Sequence, residues 1–86
     1  MDSNDVIFYP LMTESASLMV ERDNKLLFIV NAKAGKGDVK KAVEELYDVK
    51  VAKVNVLMTS QGTKKAFVKL EPEFKASDVA IKLGIL

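Results

Sequence analysis

The stretch NAKAGKGDVKKAVEEL, residues 31–46, gathers residue types that hold phosphate. An apolar run, LLFIV, ends just before it; Gly35 and Gly37 flank Lys36, and a helical pattern follows. A strand, a glycine turn and a helix N-terminus together offer backbone N–H groups and a favourable dipole to an anion. The nucleotide-binding forms of this device are incomplete here. A Walker loop ends in Gly-Lys followed by Ser or Thr, and Gly37 is followed by Asp38. A dinucleotide fingerprint needs a third small residue where Lys40 stands, and an acidic residue near the end of the next strand, which VAKVNVL lacks. Two readings remain for the loop and its lysines: a flexible strand-to-helix connection, or contact with a phosphate other than a nucleotide's.

Missing residue types bound the other chemistry. The chain has no cysteine and no histidine. That removes Cys-His pairs, Ser-His-Asp triads, disulfides and imidazole or thiolate metal sites. The adjacent Glu44 and Glu45 sit on a helical pattern, so they point about 100° apart, into solvent, and form no acid–base pair. The remaining acids are scattered, and the five serines carry no neighbouring signature. The sequence therefore reads as a non-enzyme, with no cofactor and no small-molecule substrate.

Charge is unevenly spread. The net value is +1, but residues 1–23 hold five acids and one base, and residues 24–70 hold ten lysines and four acids. Residues 71–86 are again slightly acidic. A basic middle between acidic ends fits a polyanion surface on the central elements, and equally fits ordinary solvated lysines. With 49% apolar and 29% charged residues in 86, the chain is expected to be one globular domain, residues 1–86. No apolar run approaches the length of a membrane span, so no membrane insertion is expected, and MDSNDVIFYP lacks the basic start of a signal peptide.

The elements that must position these lysines follow from periodicity. VIFY (6–9) is a short extended run stopped by Pro10. Thr13 is an N-cap and Glu14 a first-turn acid for a helix running to about Arg22, with Met12, Ala16, Met19 and Val20 on its core face. Asp23-Asn24 is a turn. KLLFIV (25–30) is apolar on both faces, as a central strand requires. Val39, Ala42, Val43, Leu46 and Tyr47 recur at helical spacing. Residues 49–60 read as a strand, SQGTKK as a turn using Gly62, and KKAFVKL (64–70) as the returning strand. Ser77 would cap a last helix closed by Gly84. The order predicts an α+β fold, a small split β-α-β sandwich. Its mostly antiparallel four-stranded sheet has helices packed on it, with KKAFVKL inserted between KLLFIV and VAKVNVL; these three strands are set by the pattern, and the sequence leaves open whether the 6–9 run pairs as the fourth. Lys53, Asn55, Lys65, Phe67 and Lys69 then share one face. Lysines with an amide and an aromatic suit RNA phosphate and base contact. The plain alternative is a half-solvated hairpin whose lysines discourage edge aggregation.

The residues also carry a resemblance. Tyr9-Pro10 with Thr13-Glu14, Asn24-Lys25 with Phe28 and Val30, and the block Ala34, Lys36, Val39-Lys40, Ala42-Val43-Glu44, Val49, Val51, Val54-Asn55 fall in order and spacing. Gly62, Lys64-Lys65-Ala66 and Val68, then Asp78-Val79-Ala80, Lys82 and Leu83-Gly84-Ile85, continue it to the end. This pattern resembles the universal large-subunit ribosomal protein numbered twenty-three, in its short archaeal form. Departures are Tyr9 for a basic residue, Ser15 for a lysine, Gly35 for a capping Thr or Asn, and Ser60 for a proline. SQGT is too short to be the long tunnel-entering hairpin of bacterial members.

The resemblance implies a cytoplasmic structural component of the large ribosomal subunit. It would bind large-subunit rRNA beside the polypeptide exit tunnel, next to the ribosomal protein numbered twenty-nine. Its outer surface would dock signal recognition particle and other exit-site factors. RNA contact is expected from Lys25, Lys33, Lys36, Lys40, Lys53, Asn55, Lys64, Lys65 and Lys69, and partner docking from Glu14 and Glu21. The phosphate facing the glycine loop would then be RNA backbone, bound by helix N–H groups and by Lys33, Lys36 and Lys40. A freestanding RNA-binding module would use the same sheet and loop.

Overall fold

The computed structural model describes residues 2–11 and 13–84. In chain order the elements are α1 (Ser3–Val6), β1 (Ile7–Pro10), α2 (Glu14–Asp23), β2 (Lys25–Val30), α3 (Lys36–Tyr47), β3 (Val51–Met58), β4 (Lys64–Leu70) and α4 (Ala76–Leu83). The single turn α1 was not expected from sequence, and Val6 closes it instead of opening the strand. A four-residue helix has almost no intrinsic stability, so local pattern does not reveal it. Tertiary bonds hold it: Ser3 Oγ donates to Glu45 Oε2 at 2.6 Å, and Asn31 Nδ2 donates to the Asp5 carbonyl at 3.2 Å.

The sheet order is β1-β2-β4-β3, with every neighbouring pair antiparallel. The α3 crossover leaves β2 and β3 parallel and one strand apart, and β4 fills the gap between them. A single buried cluster lies on one sheet face. Leu26, Phe28 and Val30 of β2 and Ala66, Val68 and Leu70 of β4 meet Val39, Ala42 and Val43 of α3 there. Val6, Val20, Val79 and Ala80 bring the other three helices into the same cluster. On the opposite face Leu27 and Ile29 are buried as well, at 7% and 5% exposure, which accounts for the unbroken apolar run of β2.

Element ends follow capping chemistry, with two departures from expectation. Thr13 Oγ1 accepts from the Ala16 N–H at 3.1 Å, and Asn24 in the left-handed region (φ 56°) closes α2. Asn24 then knots three elements together. Its Nδ2 donates to the carbonyls of Leu70 (3.4 Å) and Phe74 (2.9 Å), and its Oδ1 accepts from the Ala76 N–H at 2.7 Å. Ser77 is therefore inside α4 and does not cap it. The orphan N–H at the start of that helix is satisfied from across the chain by Asn24. Glu45 is exposed as the sequence implies and Glu44 is half-buried, but both also carry structural hydrogen bonds. Glu44 Oε2 accepts from the Val51 N–H at 3.0 Å, and Glu45 holds Ser3. Met12, expected on the core face of α2, lies outside the described residues.

Tyr47 ends α3 with its ring stacked on Phe28, centroids 5.8 Å apart and planes 8° from parallel. Burial pushes its phenol above the ordinary value of 10.0. The neutral form is thus favoured by folding, and its contribution is fully present below the unfolded pKa and lost as pH rises through the folded one. Urea unfolding of the protein and of Tyr47→Phe at about pH 9 and about pH 11 checks this. The unaltered protein is expected to lose more stability over that interval, because the variant has no phenol to ionise.

Candidate nucleic-acid interface

The pleat of β4 sorts its side chains by chemistry. Ala66, Val68 and Leu70 enter the core cluster; Lys65, Phe67 and Lys69 point the other way. Register extends each of these outward residues into a row across the sheet. Lys25 lies opposite Lys69, which lies opposite Lys53. The next row is Leu27, Phe67 and Asn55. The third is Tyr9, Ile29, Lys65 and Leu57. Lys53, Asn55 and Lys69 are exposed; Lys25, Lys65 and Phe67 are half-buried. Six of the nine lysine and asparagine positions expected to meet RNA (25, 53, 55, 65, 69 and, at the strand end, 64) are therefore on or beside the two central strands and β3, and five share one face.

The lysine row bears on the two readings of this face. Like charges directly opposite on neighbouring strands destabilise a sheet. Protection of an edge strand from aggregation needs a lysine on the edge only. Lys53 is on the edge strand β3, but Lys69 and Lys25 are on the interior strands β4 and β2. Three aligned lysines oppose folding and do nothing extra for the edge, so the row fits a surface that meets a polyanion. Tyr9 was not among the expected contacts. It is 52% exposed on the same face and, with half-buried Phe67, adds a second aromatic beside the lysines.

The glycine loop is built differently from its sequence reading. Gly35 has ordinary extended geometry (φ −91°, ψ 178°) and is the N-cap of α3, while Lys36 and Gly37 are already helical. No left-handed turn occurs here; the left-handed glycines are Gly62 and Gly84. Asp38 Oδ2 accepts from the Gly35 N–H at 3.0 Å. That carboxylate takes up one N–H and places a negative charge at the helix N-terminus, which offsets the dipole there. Anion attraction at this end falls to the side chains: Lys33 and Lys36 are exposed. Lys40 is exposed and lines a depression together with Glu44, Asp48, Lys50 and Glu71. Lys64 is on the core-side parity, opposite Val30, and its Nζ donates to the Ala34 carbonyl at 2.6 Å.

On α2, Glu14, Leu18 and Glu21 fall at helical spacing, all exposed, opposite buried Ala16 and Val20. Leu18, at 46% exposure, is an apolar residue between two acids that the sequence pattern did not single out. Among the described residues no group of three or more Asp or Glu gathers in a metal-binding arrangement.

A split β-α-β sheet with one helical face and one lysine-bearing face defines a small α+β domain with a basic surface. The family model for ribosomal protein L23 matches residues 5–82, nearly the whole chain, and the chain belongs to that family. That family is one of structural components of the large ribosomal subunit, and membership implies binding to large-subunit rRNA.

The aligned lysines should oppose stability and support RNA binding at once. Lys69→Glu turns two repulsive cross-strand pairs into attractive ones. Thermal unfolding is expected to show a gain of about 0.5–1 kcal/mol after solvent screening. Filter binding to a large-subunit rRNA fragment is expected to show weaker affinity for the same variant. A loss of stability with unchanged affinity would mean that the row serves the fold.

Proposed function

We propose that this protein sits beside the polypeptide exit tunnel of a cytoplasmic large subunit. There it contacts rRNA through Lys25, Lys53, Asn55, Lys65 and Lys69 of the sheet and Lys33, Lys36 and Lys40 of the loop and α3. Residues 1–86 act as one domain of the short, archaeal type. The single observation that carries the RNA assignment is the row Lys25–Lys69–Lys53, whose cost to folding calls for a polyanion. The neighbouring ribosomal protein numbered twenty-nine completes the surroundings. The acidic helix α2 faces away from RNA and presents Glu14 and Glu21 to signal recognition particle and other nascent-chain factors. A carboxylate held against phosphate is repelled, so the charge separation along the chain supports opposite placements for the two surfaces.

Salt dependence tests the RNA surface. Four to six lysine–phosphate contacts give a log–log slope of roughly −3 to −5. Changing Lys33, Lys36 and Lys40 together to Glu is expected to abolish binding to the cognate rRNA fragment while circular dichroism and Tm stay near those of the parent. A folded triple variant with unaltered affinity and slope would remove the loop from the interface.

The docking surface is tested by Glu14→Lys. Incorporation into large subunits is expected to be retained, and recruitment of a basic targeting factor to weaken, more so at low salt. If Glu14 serves only the helix dipole, Tm falls by the equivalent of about 0.3–1 kcal/mol and factor binding is unchanged. Loss of subunit incorporation would place α2 against the RNA.

A further inference from the structure

Lys64 is chemically unlike the other lysines of the basic surface. It is half-buried and points to the core side of the sheet, whereas Lys65 and Lys69 of the same strand point to the RNA-facing side. Its ammonium is engaged with backbone carbonyls of residues thirty and more positions earlier: Ala34 at 2.6 Å and, more weakly, Ala32 at 3.5 Å. Those carbonyls belong to the loop that presents Lys33 and Lys36. The loop is also fixed from its other sides. Its Asn31 N–H donates to the Val6 carbonyl at 2.8 Å, and Asn31 Oδ1 accepts from the Lys33 N–H at 2.9 Å. The Ala34 N–H donates to the Asn31 carbonyl at 2.9 Å, and Ala34 itself is fully buried.

We propose that Lys64 is a positioning residue for the rRNA interface: its ammonium clamps the 31–35 loop to the β3–β4 hairpin and so holds Lys33 and Lys36 ready for phosphate, without touching RNA itself. Two physical effects follow. A charged donor on a carbonyl is a strong hydrogen bond, and a loop ordered in the free protein loses less freedom on binding. The purpose of the clamp rests on the RNA reading above, but its existence can be measured in the free protein.

Lys64→Met keeps the stem and removes the charge. In the free variant, amide hydrogen exchange at residues 33–36 is expected to speed up by roughly tenfold while the β2 and β4 amides keep their protection. Affinity for an rRNA fragment is expected to fall by roughly tenfold through lost pre-organisation, with the salt slope unchanged. A phosphate contact by Lys64 would instead make the slope shallower by about 0.7–0.9 and leave the loop amides protected, and that result overturns the proposal. A second measurement uses the unaltered protein and does not depend on how the variant folds. In trace acetylation, Lys64 is expected to react at least about fivefold more slowly than Lys33 and Lys36 before RNA is added. RNA should then protect Lys33 and Lys36 and leave the Lys64 rate unchanged. Fast labelling of Lys64 in the free protein, suppressed by RNA, would refute the clamp. Slow labelling of Lys64 with no RNA protection of Lys33 or Lys36 would leave the clamp standing and reject the loop as an RNA contact.

Discussion

Everything in this structure depends on one strand being bonded on both sides. The crossover through α3 returns the chain parallel to β2, too far away to pair with it, and the sheet closes only when β4 enters between β2 and β3. Once β4 is in that position its pleat has no freedom. Three small or branched apolar side chains must face the helices, and Lys65, Phe67 and Lys69 must face the other way. A slip of one residue in either ladder would bury lysines and expose the core face. Asn24 guards against such a slip at one end, where its amide binds the Leu70 carbonyl and the start of α4. Lys64 does so at the other, where it binds the Ala34 carbonyl. Both anchors reach from one end of the β2–β4 ladder to chain segments outside it, so register and the geometry of the neighbouring loops are fixed together.

The architecture was legible from sequence because its main elements carry strong, locally decided signals. Val39, Ala42, Val43, Leu46 and Tyr47 keep a clean helical spacing, and all but Leu46, which is 38% exposed, are buried or packed against the core. KLLFIV is apolar at every position but the first, and both of its faces are covered. The alternation in KKAFVKL gave the correct division of faces, and Gly62 and Gly84 took the left-handed backbone that their positions require. Thr13 caps α2 as its residue type demands. These are choices that adjacent residues make for themselves.

What sequence did not show is decided by contacts between distant residues. The turn α1 exists because Glu45 and Asn31, far along the chain, satisfy Ser3 and Asp5. Ser77 has the right chemistry for a cap, but Asn24 reaches the helix start first. Glu44 looks like a solvated surface acid until Val51 brings an unpaired N–H to it. The site shows the same division. A lysine count over residues 24–70 finds the basic surface but treats Lys64 and Lys69 alike. Alternation puts Lys64 on the Ala66 side, but only the folded chain shows its ammonium on a loop carbonyl, and only the register reveals that Lys25, Lys69 and Lys53 stand in one row.

That row also shows how stability and function divide the sheet. The face toward the helices is optimised for folding: small residues such as Ala66 interleave with Phe28 and Leu26, and Phe28 stacks on Tyr47. The lysine-bearing face is not. It keeps repulsive cross-strand pairs and leaves Tyr9 and Leu57 more than half exposed. A free domain would gain from replacing either feature, since surface charge optimisation commonly stabilises natural proteins. In the proposed rRNA contact, binding would reverse the sign of both terms: phosphates would neutralise the aligned lysines and release their counterions, and the aromatic rings beside them would meet nucleotide bases. Under the proposed rRNA contact, the cross-strand lysines that cost the free sheet stability would be neutralised on assembly, and binding to the folded form would add to its stability.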